Sequence, residues 1–206
     1  MYNKNTLKVQ KRYNRFSFFY DYLEYLLEKI LFTKLRKETL GNLNGNILEI
    51  GVGTGKNLLF YGSKTNITGV DISPKMLNKA RQRAGKLNKK INLLEMDAQD
   101  LKFKDNSFDY VIGTFILCSI PEPIKALKEI KRVVKPTGKI IFIEHVLSKN
   151  KFIAFLEWLH NPITVWLLGL NVNRDTRKNI LESGIHITRD ENLAFFDVFR
   201  RFTGVK

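Results

Sequence analysis

Residues 46–55 read NILEIGVGTG, and this stretch decides the fold of the chain. Its first half is a short apolar segment typical of a buried strand. Three glycines follow at positions 51, 53 and 55, and residues 56–61 then begin a predicted helix. Glycine is required where the backbone turns sharply or where a ligand approaches too closely for a β-carbon. Strand, glycine loop and helix N-terminus together predict a ligand site built on free backbone N–H groups.

The middle of the chain continues this alternation of strands and helices. Ser73 and Pro74 begin one predicted helix as N-cap and first-turn proline, and the helix extends to about residue 87. A second predicted helix covers residues 122–134, closed by Pro136 and Gly138. The predicted strands cover residues 46–50, 66–70, 91–96, 110–115 and 139–146. The alternation predicts parallel βαβ units, and hence an α/β, Rossmann-like, doubly wound sheet.

The two flanks of this core are rich in aromatic residues. Residues 16–31 have the spacing of an amphipathic helix, preceded by a basic arm, so residues 1–40 are predicted to form a helical arm or lid that either packs on the core or lies on an interface. Residues 41–206 are predicted to form the main domain. Within it, residues 152–170 are an expected aromatic lid insertion, helical to His160 and broken at Asn161 and Pro162. A helix over 174–183 and strands over 185–188 and 195–202 complete the prediction.

Composition limits the location and the partners. The 206-residue chain has 35 basic and 20 acidic residues, a formal charge of +15, which is consistent with an anionic partner or with general solubility. Its single cysteine, Cys118, excludes an internal disulfide, and no Cys/His cluster predicts a metal. No apolar run reaches the roughly 18–20 residues that a membrane-spanning helix needs. We therefore expect a cytoplasmic monomer or weak dimer, with an anionic membrane surface as a partner.

Two carboxylates extend the glycine loop into a nucleoside site. Asp71 ends the second predicted strand, near the ~20-residue offset at which an acid grips ribose hydroxyls. Asp97 closes the third strand at the same edge, where it can accept the adenine amino group. Lys56 occupies the position at which the dinucleotide pattern G-x-G-x-x-G needs its last glycine, so a nicotinamide-dependent oxidoreductase is disfavoured.

The loop at 49–55, Asp71, Asp97 and the segment 108–112 resemble the sequential motifs of class I S-adenosylmethionine-dependent methyltransferases. The resemblance covers residues 46–147. It implies S-adenosyl-L-methionine as cofactor, a seven-stranded, mostly parallel sheet of order 3-2-1-4-5-7-6, and a place for Glu49 near the methionine amine. The candidate cofactor-binding residues are Glu49, Gly51, Gly53, Gly55, Asp71, Ile72, Asp97, Ala98 and Thr114.

Shorter motifs at 117–121, 143–146 and 173–176 are similar to the lipid-associated alkyl-thiol methyltransferases and their bacterial relatives. Phospholipid N-methyltransferases and quinone-biosynthesis methyltransferases share the tyrosine-rich N-terminal helix. The resemblance implies a small lipophilic or membrane-associated acceptor: a phospholipid amine, an alkyl thiol or a quinol. The expected acceptor pocket contains Tyr20, Phe115, Cys118 and Trp158.

Methyl transfer from a sulfonium needs positioning more than proton transfer. His145, at the end of the fifth predicted strand, is the candidate base or acceptor-orienting group, with Glu144 as its orienter; a purely structural histidine is the alternative. Arg174 and Asp175 are expected to form an ion pair that fixes the last helix.

Two other functions account for part of the same sequence. A tRNA or rRNA methyltransferase would explain the positive charge, but residues 113–116 lack the Asn/Asp-Pro-Pro-aromatic motif of enzymes that methylate base amines, so nucleic acid is disfavoured as a partner. A non-catalytic module that binds S-adenosylmethionine at a membrane is the second alternative.

Overall fold

A computed structural model describes residues 2–23, 28, 32–87, 89–167, 169–195 and 197–206. Its core is one seven-stranded sheet of order β3-β2-β1-β4-β5-β7-β6. The strands are β1 Gly45–Ile50, β2 Thr65–Asp71, β3 Ile91–Glu95, β4 Phe108–Thr114, β5 Val134–His145, β6 His186–Ala194 and β7 Phe199–Val205. Strands β1 to β5 pair in parallel, whereas β7 lies antiparallel between β5 and β6. The predicted order and the closing antiparallel hairpin are confirmed.

Six α-helices and one short 3₁₀ helix accompany the strands in the described residues. The α-helices are α1 Lys4–Leu23, α2 Thr33–Leu40, α3 Pro74–Ala84, α4 Pro123–Val133, α5 Lys151–Leu167 and α6 Thr176–Glu182. Ser73 caps α3 as predicted, because its Oγ accepts a hydrogen bond from the Met76 N–H at 3.2 Å. The helix predicted after the glycine loop is the 3₁₀ turn Lys56–Leu59. Two apolar clusters, one on each face of the sheet's central strands, form the core.

Three predicted boundaries are wrong. Helix α1 begins at Lys4, so the basic arm is itself helical, while the predicted continuation over 24–27 and 29–31 lies outside the described residues. Helix α5 runs through Pro162, because one missing N–H donor does not outweigh the other backbone bonds of a 17-residue helix. Strand β5 begins at Val134, which pairs with Phe108 ahead of a bulge, so Pro136 and Gly138 lie inside the strand.

The predicted ion pair between Arg174 and Asp175 is also wrong. Asp175 instead caps α6 by accepting a hydrogen bond from the Lys178 N–H at 2.9 Å. Arg174 turns away and donates to the carbonyls of Leu117 and Ile120. Each neighbour therefore satisfies a different set of backbone groups. Within the part of the chain that the structure describes, no helix is both long enough and apolar enough to cross a bilayer.

Candidate active site

The glycine loop follows β1 at the carboxyl edge of the sheet. Gly51 has φ +65°, and a β-carbon there would lie 2.5 Å from Cδ1 of Ile116. Gly55 has φ +81°, and a β-carbon there would come within 3.2 Å of Ala80 on α3. Any other residue would be strained by the backbone conformation and would push the loop away from these neighbours. The glycines therefore allow close packing between the loop, the segment after β4 and α3.

Asp71 ends β2 directly beside this loop. Its Oδ2 accepts a hydrogen bond from the Gly53 N–H at 2.9 Å, and its Oδ1 accepts one from the Ser73 N–H at 2.8 Å. Burial raises the pKa of Asp71 to about 6, although these backbone donors oppose the shift. The carboxylate is thus fixed in orientation between the loop and the start of α3.

Asp97, just beyond β3, lies on the other side of the same edge. Its carboxylate accepts hydrogen bonds from the hydroxyl of Thr6 at 3.0 Å and from the side-chain amide of Gln99 at 2.9 and 3.0 Å. Thr6 belongs to α1 and is fully buried. The first helix of the chain is therefore in direct contact with the predicted adenine end of the site.

Helix α1 crosses this edge and attaches to it at several points. The Gln10 side chain donates to the carbonyl of Ile72 at 2.6 Å, and Oδ1 of Asn14 accepts from the Ser73 hydroxyl at 2.7 Å. Near the end of the helix, Asp21 accepts a hydrogen bond from the Thr54 hydroxyl at 2.7 Å. Arg83 and two lysines lie within 4.0 Å of the Asp21 carboxylate. These contacts make α1 a wall of the site.

Helix α1 and the strand ends line a cavity of about 680 Å³, a volume that includes the part open to solvent. Its lining is mostly apolar or uncharged, and the charged residues in it are Asp71 and Asp97. The predicted residues that line it are Tyr20, Gly51, Gly53, Asp71, Ile72, Asp97, Ala98, Thr114 and Phe115. The cavity therefore combines a polar edge, suited to a nucleoside, with an apolar interior.

A second cavity, of about 310 Å³, shares the glycine loop, Thr114, Phe115 and Tyr20 with the first. Glu49 lines it and is buried: its carboxylate accepts hydrogen bonds from the Asn57 amide and the Tyr61 hydroxyl, each at 2.9 Å. Burial raises the pKa of Glu49 to about 7.

Arg36 and Lys56 are the two cations that line this second cavity, and sequence reasoning missed Arg36. Its guanidinium donates to the Asn57 side chain at 2.5 Å and to the Thr114 hydroxyl at 3.2 Å. The other side of the guanidinium bonds both carboxylate oxygens of Glu28, at 2.8 and 3.1 Å. Arg36, Asn57 and Glu49 thus form a buried polar network. It lies where the family resemblance implies the methionine end of the cofactor.

The segment after β4 forms the opposite wall of the main cavity. Phe115 has φ +55°, which is costly for an aromatic residue, by roughly 1–3 kcal/mol. The next two N–H groups, of Ile116 and Leu117, donate to Oε1 of Glu144 at 3.0 and 3.1 Å. Glu144 is fully buried, and burial raises its pKa to about 7. Glu144 therefore holds the turn that presents Phe115 to the cavity.

His145 lies outside the cavity lining. Alternate residues of a strand point to opposite faces, so Glu144 does not orient it; its Nε2 is instead 3.6 Å from Oε1 of Glu157 on α5. The imidazole packs edge-on against Phe199, with ring centroids 5.5 Å apart, and Phe199 packs against Phe115 at 5.9 Å. Burial lowers the pKa of His145, so the ring is neutral at pH 7.

The other predicted residues are divided between the core and the surface. Gly55 packs against α3, and Cys118 is buried without lining the cavity. Trp158 lies on α5 with 64% of its surface exposed. Tyr20 was predicted from the inner face of α1, but Thr6, Val9 and Tyr13 were missed, although they line the cavity at a helical spacing that the sequence displays.

Comparison with known proteins identifies the domain. Residues 48–142 match the family model Methyltransf_11, described as a methyltransferase domain. The chain is 35% identical over 127 residues to phosphatidylethanolamine N-methyltransferase of Cereibacter sphaeroides, covering 59% of this chain and 63% of that protein. It is 34% identical over 155 residues to the ubiquinone/menaquinone biosynthesis C-methyltransferase UbiE of Rickettsia typhi, covering 69% and 62%.

Thiol S-methyltransferase TMT1B of Rattus norvegicus is 33% identical over 157 residues, which cover 73% of this chain and 64% of that protein. The chain thus spans a little over six-tenths of the length of these relatives. A solved methyltransferase from Thermotoga maritima shares the fold, with a TM-score of 0.73 at 22% identity over 95% of this chain and 99% of that one. The chain contains a class I S-adenosylmethionine-dependent methyltransferase domain, and its cofactor is S-adenosyl-L-methionine.

Proposed function

We propose that this protein transfers a methyl group from S-adenosylmethionine to a small lipophilic or membrane-associated acceptor. The observation that carries the proposal is that the main cavity has an acidic end and an uncharged interior. Its two charged lining residues, Asp71 and Asp97, both lie at the edge of the sheet, and the rest of its lining is apolar or uncharged. An apolar interior excludes water, and it binds a lipophilic acceptor without burying a charged side chain against it.

The residues at the sheet edge fit the cofactor. We propose that Asp71, which is held by two backbone donors, binds the ribose hydroxyls and that Asp97 accepts the adenine amino group. Glu49 and Arg36 bring opposite charges to the second cavity, as a zwitterionic amino acid end requires. The cofactor, when bound, supplies an electrophilic methyl group on a sulfonium.

The chain's own residues then have to position the acceptor and exclude water. Phe115, held by Glu144 through its neighbours' N–H groups, forms the acceptor side of the cavity. Helix α1 closes the opposite side with Tyr13 and Tyr20. Such positioning supplies much of the rate acceleration in displacement reactions. For His145 we propose an acceptor-orienting role exerted through Phe199 and Phe115.

The acceptor classes that we propose are a phospholipid amine, an alkyl thiol and a quinol. By their names, the three relatives reported above methylate nitrogen, carbon and sulfur. The proposal therefore includes one acceptor class for each of these atoms. We also propose that the protein associates peripherally with an anionic membrane surface, supported by its formal charge of +15.

A radiolabelled-methyl assay tests the proposal. Phosphatidylethanolamine, alkyl thiols, quinols and tRNA are supplied separately, with Asp71→Ala as the cofactor-site control. We expect label in one lipophilic class and none in tRNA. Label in tRNA alone would favour an RNA methyltransferase. Cofactor binding without label in any acceptor would favour a non-catalytic module.

A further inference from the structure

Helix α5 has its apolar residues on the outside. Its one acidic residue, Glu157, is 8% exposed, whereas large apolar side chains cover its outer face. These are Phe152, Phe155, Leu156, Trp158, Leu159, Ile163 and Trp166, with exposures from 37% to 76%. A helix packed on a water-soluble domain normally turns its apolar stripe inward. Monomeric proteins rarely expose contiguous apolar patches larger than a few hundred Å² without a partner for them.

The orientation of α5 is fixed by its buried polar side. Oε2 of Glu157 accepts a hydrogen bond from the Ser148 N–H at 2.9 Å, and its Oε1 lies 3.6 Å from Nε2 of His145 at the end of β5. Rotating the helix to bury its aromatic residues would break these contacts and expose the buried carboxyl group of Glu157. The outward apolar face is therefore part of the folded arrangement.

Helix α1, which contacts the chain just beyond α5, carries a cationic stripe on its exposed side. Lys4, Lys8, Lys11 and Arg15 are exposed at helical spacing, and Phe18 and Tyr22 continue the same stripe with exposures of 77% and 82%. Arg12 of α1 contacts the chain two residues beyond the end of α5, because its guanidinium is 3.0 Å from the place of a β-carbon at Gly169. Cations and exposed aromatic rings on adjoining helices are typical of a protein surface that binds an anionic interface.

Helix α5 is also connected, through the residues that follow it, to the proposed acceptor side of the cavity. Two residues shortly after α5 anchor it to the segment that follows β4. The Asn171 N–H donates to the carbonyl of Cys118 at 3.0 Å, and Arg174 donates to the carbonyl of Ile120 at 2.7 Å. Residues 114–116 and 119–121 of this segment line the cavity. A surface bound by α5 would therefore be close to the segment after β4, which forms the proposed acceptor wall of the cavity.

We propose that α5 docks this protein onto an anionic lipid surface, with its aromatic face among the acyl chains and the α1 stripe against the headgroups. The inference deepens the proposed function, because it names the surface that brings a lipophilic acceptor to the cavity. A second copy of the chain is a poorer occupant, since pairing the apolar faces would bring two cationic stripes together.

The chain carries a built-in probe for this surface. It has two tryptophans, Trp158 and Trp166, and both lie on the exposed face of α5. Adding vesicles of phosphatidylcholine and phosphatidylglycerol should shift the tryptophan emission to the blue, protect it from aqueous acrylamide and allow quenching by brominated acyl chains. Vesicles of phosphatidylcholine alone should bind at least about tenfold more weakly, because they lack the charge that attracts α1.

The double variant Phe155→Ser, Ile163→Ser tests the face while keeping both tryptophans. We expect vesicle binding to weaken roughly a hundredfold, because two exposed apolar side chains no longer insert. Leu181→Ser is the matched control: Leu181 is 45% exposed on α6, and its loss should leave vesicle binding unchanged. Neither variant alters the cavity lining, so unchanged affinity for S-adenosylmethionine verifies that each one is folded.

Three results would overturn the docking proposal. They are an emission spectrum that vesicles do not change, tryptophans already shielded from acrylamide in the free protein, and a lipid-free dimer whose formation shifts the emission. Methyl transfer to a short-chain acceptor dispersed in water separates this outcome from the proposed function. Transfer without docking overturns the docking surface alone, and docking without transfer to any acceptor overturns the proposed function alone.

Discussion

Helices α1 and α5 are the two longest of the described helices, and they use their surfaces in opposite ways. Helix α1 turns Thr6, Gln10 and Asn14 toward the strand ends and closes the cofactor edge with polar contacts. Helix α5 buries Glu157 and exposes its aromatic residues. The difference teaches that the two ends of the site are built by different forces. Directed hydrogen bonds shape the proposed cofactor end, whereas an exposed apolar surface covers the helix that is connected to the proposed acceptor end.

The largest effect is expected from removing the anchor of the cofactor end. Asp71→Ala should weaken S-adenosylmethionine binding roughly a thousandfold, because two charge-assisted hydrogen bonds to the ribose are lost. Isothermal calorimetry measures the affinity. Asp100→Ala, which removes a nearby carboxylate whose side chain is 64% exposed, controls for net charge and should have little effect. Unchanged affinity in Asp71→Ala would refute the assigned site.

The affinity of the native protein should also depend on the protonation of Asp71. Burial raises the pKa of this carboxyl group to about 6, so it becomes protonated as the pH falls below that value. The protonated group accepts ribose hydrogen bonds less well, and affinity should therefore fall below about pH 6.

The second largest effect concerns Glu144, beneath the acceptor wall. Burial raises its pKa from 4.5 to about 7, so the folded protein holds this proton more tightly than the unfolded chain does. The stability that this provides is present below about pH 4.5 and is lost as the pH rises through 7. Relative to Glu144→Gln, the wild-type free energy of unfolding should fall by roughly 2–3 kcal/mol between pH 5 and pH 8.

Urea denaturation at several pH values measures this difference. Glu49 and Asp71 titrate in both proteins, so their contributions cancel in the comparison. Glu182→Gln, in which an exposed carboxyl group of α6 is replaced, should run parallel to the wild type. A parallel course for Glu144→Gln as well would mean that Glu144 keeps an ordinary pKa in the folded protein.

A smaller effect is expected at His145, on the α5 side. Loss of a general base typically costs 10²- to 10⁴-fold in rate. His145 reaches the cavity wall only through Phe199 and Phe115, so His145→Ala should lower kcat/KM for the acceptor by about tenfold or less, without changing cofactor affinity. His145→Gln should recover part of the loss. A hundredfold decrease in both variants would assign proton transfer to this imidazole.

The smallest effect separates the two helices directly. Thr6→Val removes the hydroxyl that donates to Asp97 and should weaken cofactor binding roughly fivefold, the usual worth of one hydrogen bond. Trp158→Ser on α5 should leave that affinity unchanged. Equal losses in the two variants would contradict the division between a polar cofactor end and an apolar acceptor end.

The sequence predicts the sheet better than the helices that cover it. Glycine spacing and the carboxylates Asp71 and Asp97 are local signals, set by the backbone at strand ends, and they predict the cofactor edge. The contact between Thr6 and Asp97 joins residues 91 positions apart, and Arg36 meets Thr114 across 78. Such pairings depend on how α1 and α2 lie on the finished sheet, which local pattern does not encode.

Two local signals were misleading for the same physical reason. Proline normally interrupts helices and strands because it lacks a backbone N–H donor. At Pro136 the pairing of β5 with its neighbours outweighs this loss, and at Pro162 the other hydrogen bonds of the 17-residue helix do so. The side-chain directions of α5 were also beyond prediction. Helical spacing groups Phe152, Phe155 and Trp166 on one face, which the sequence alone would turn toward the core. In the structure Glu157 is buried and that apolar face is exposed.

The place of β7 in the sheet has a consequence for how the chain is made. This strand lies between β5 and β6, although it follows both in sequence. A nascent chain that has emerged as far as β6 has no partner for that strand, and the edge of β5 stays open. An uncovered edge can pair with other chains, so the interval before β7 emerges is the one most exposed to misassembly. A truncation that removed β7 would therefore cost the sheet two strands.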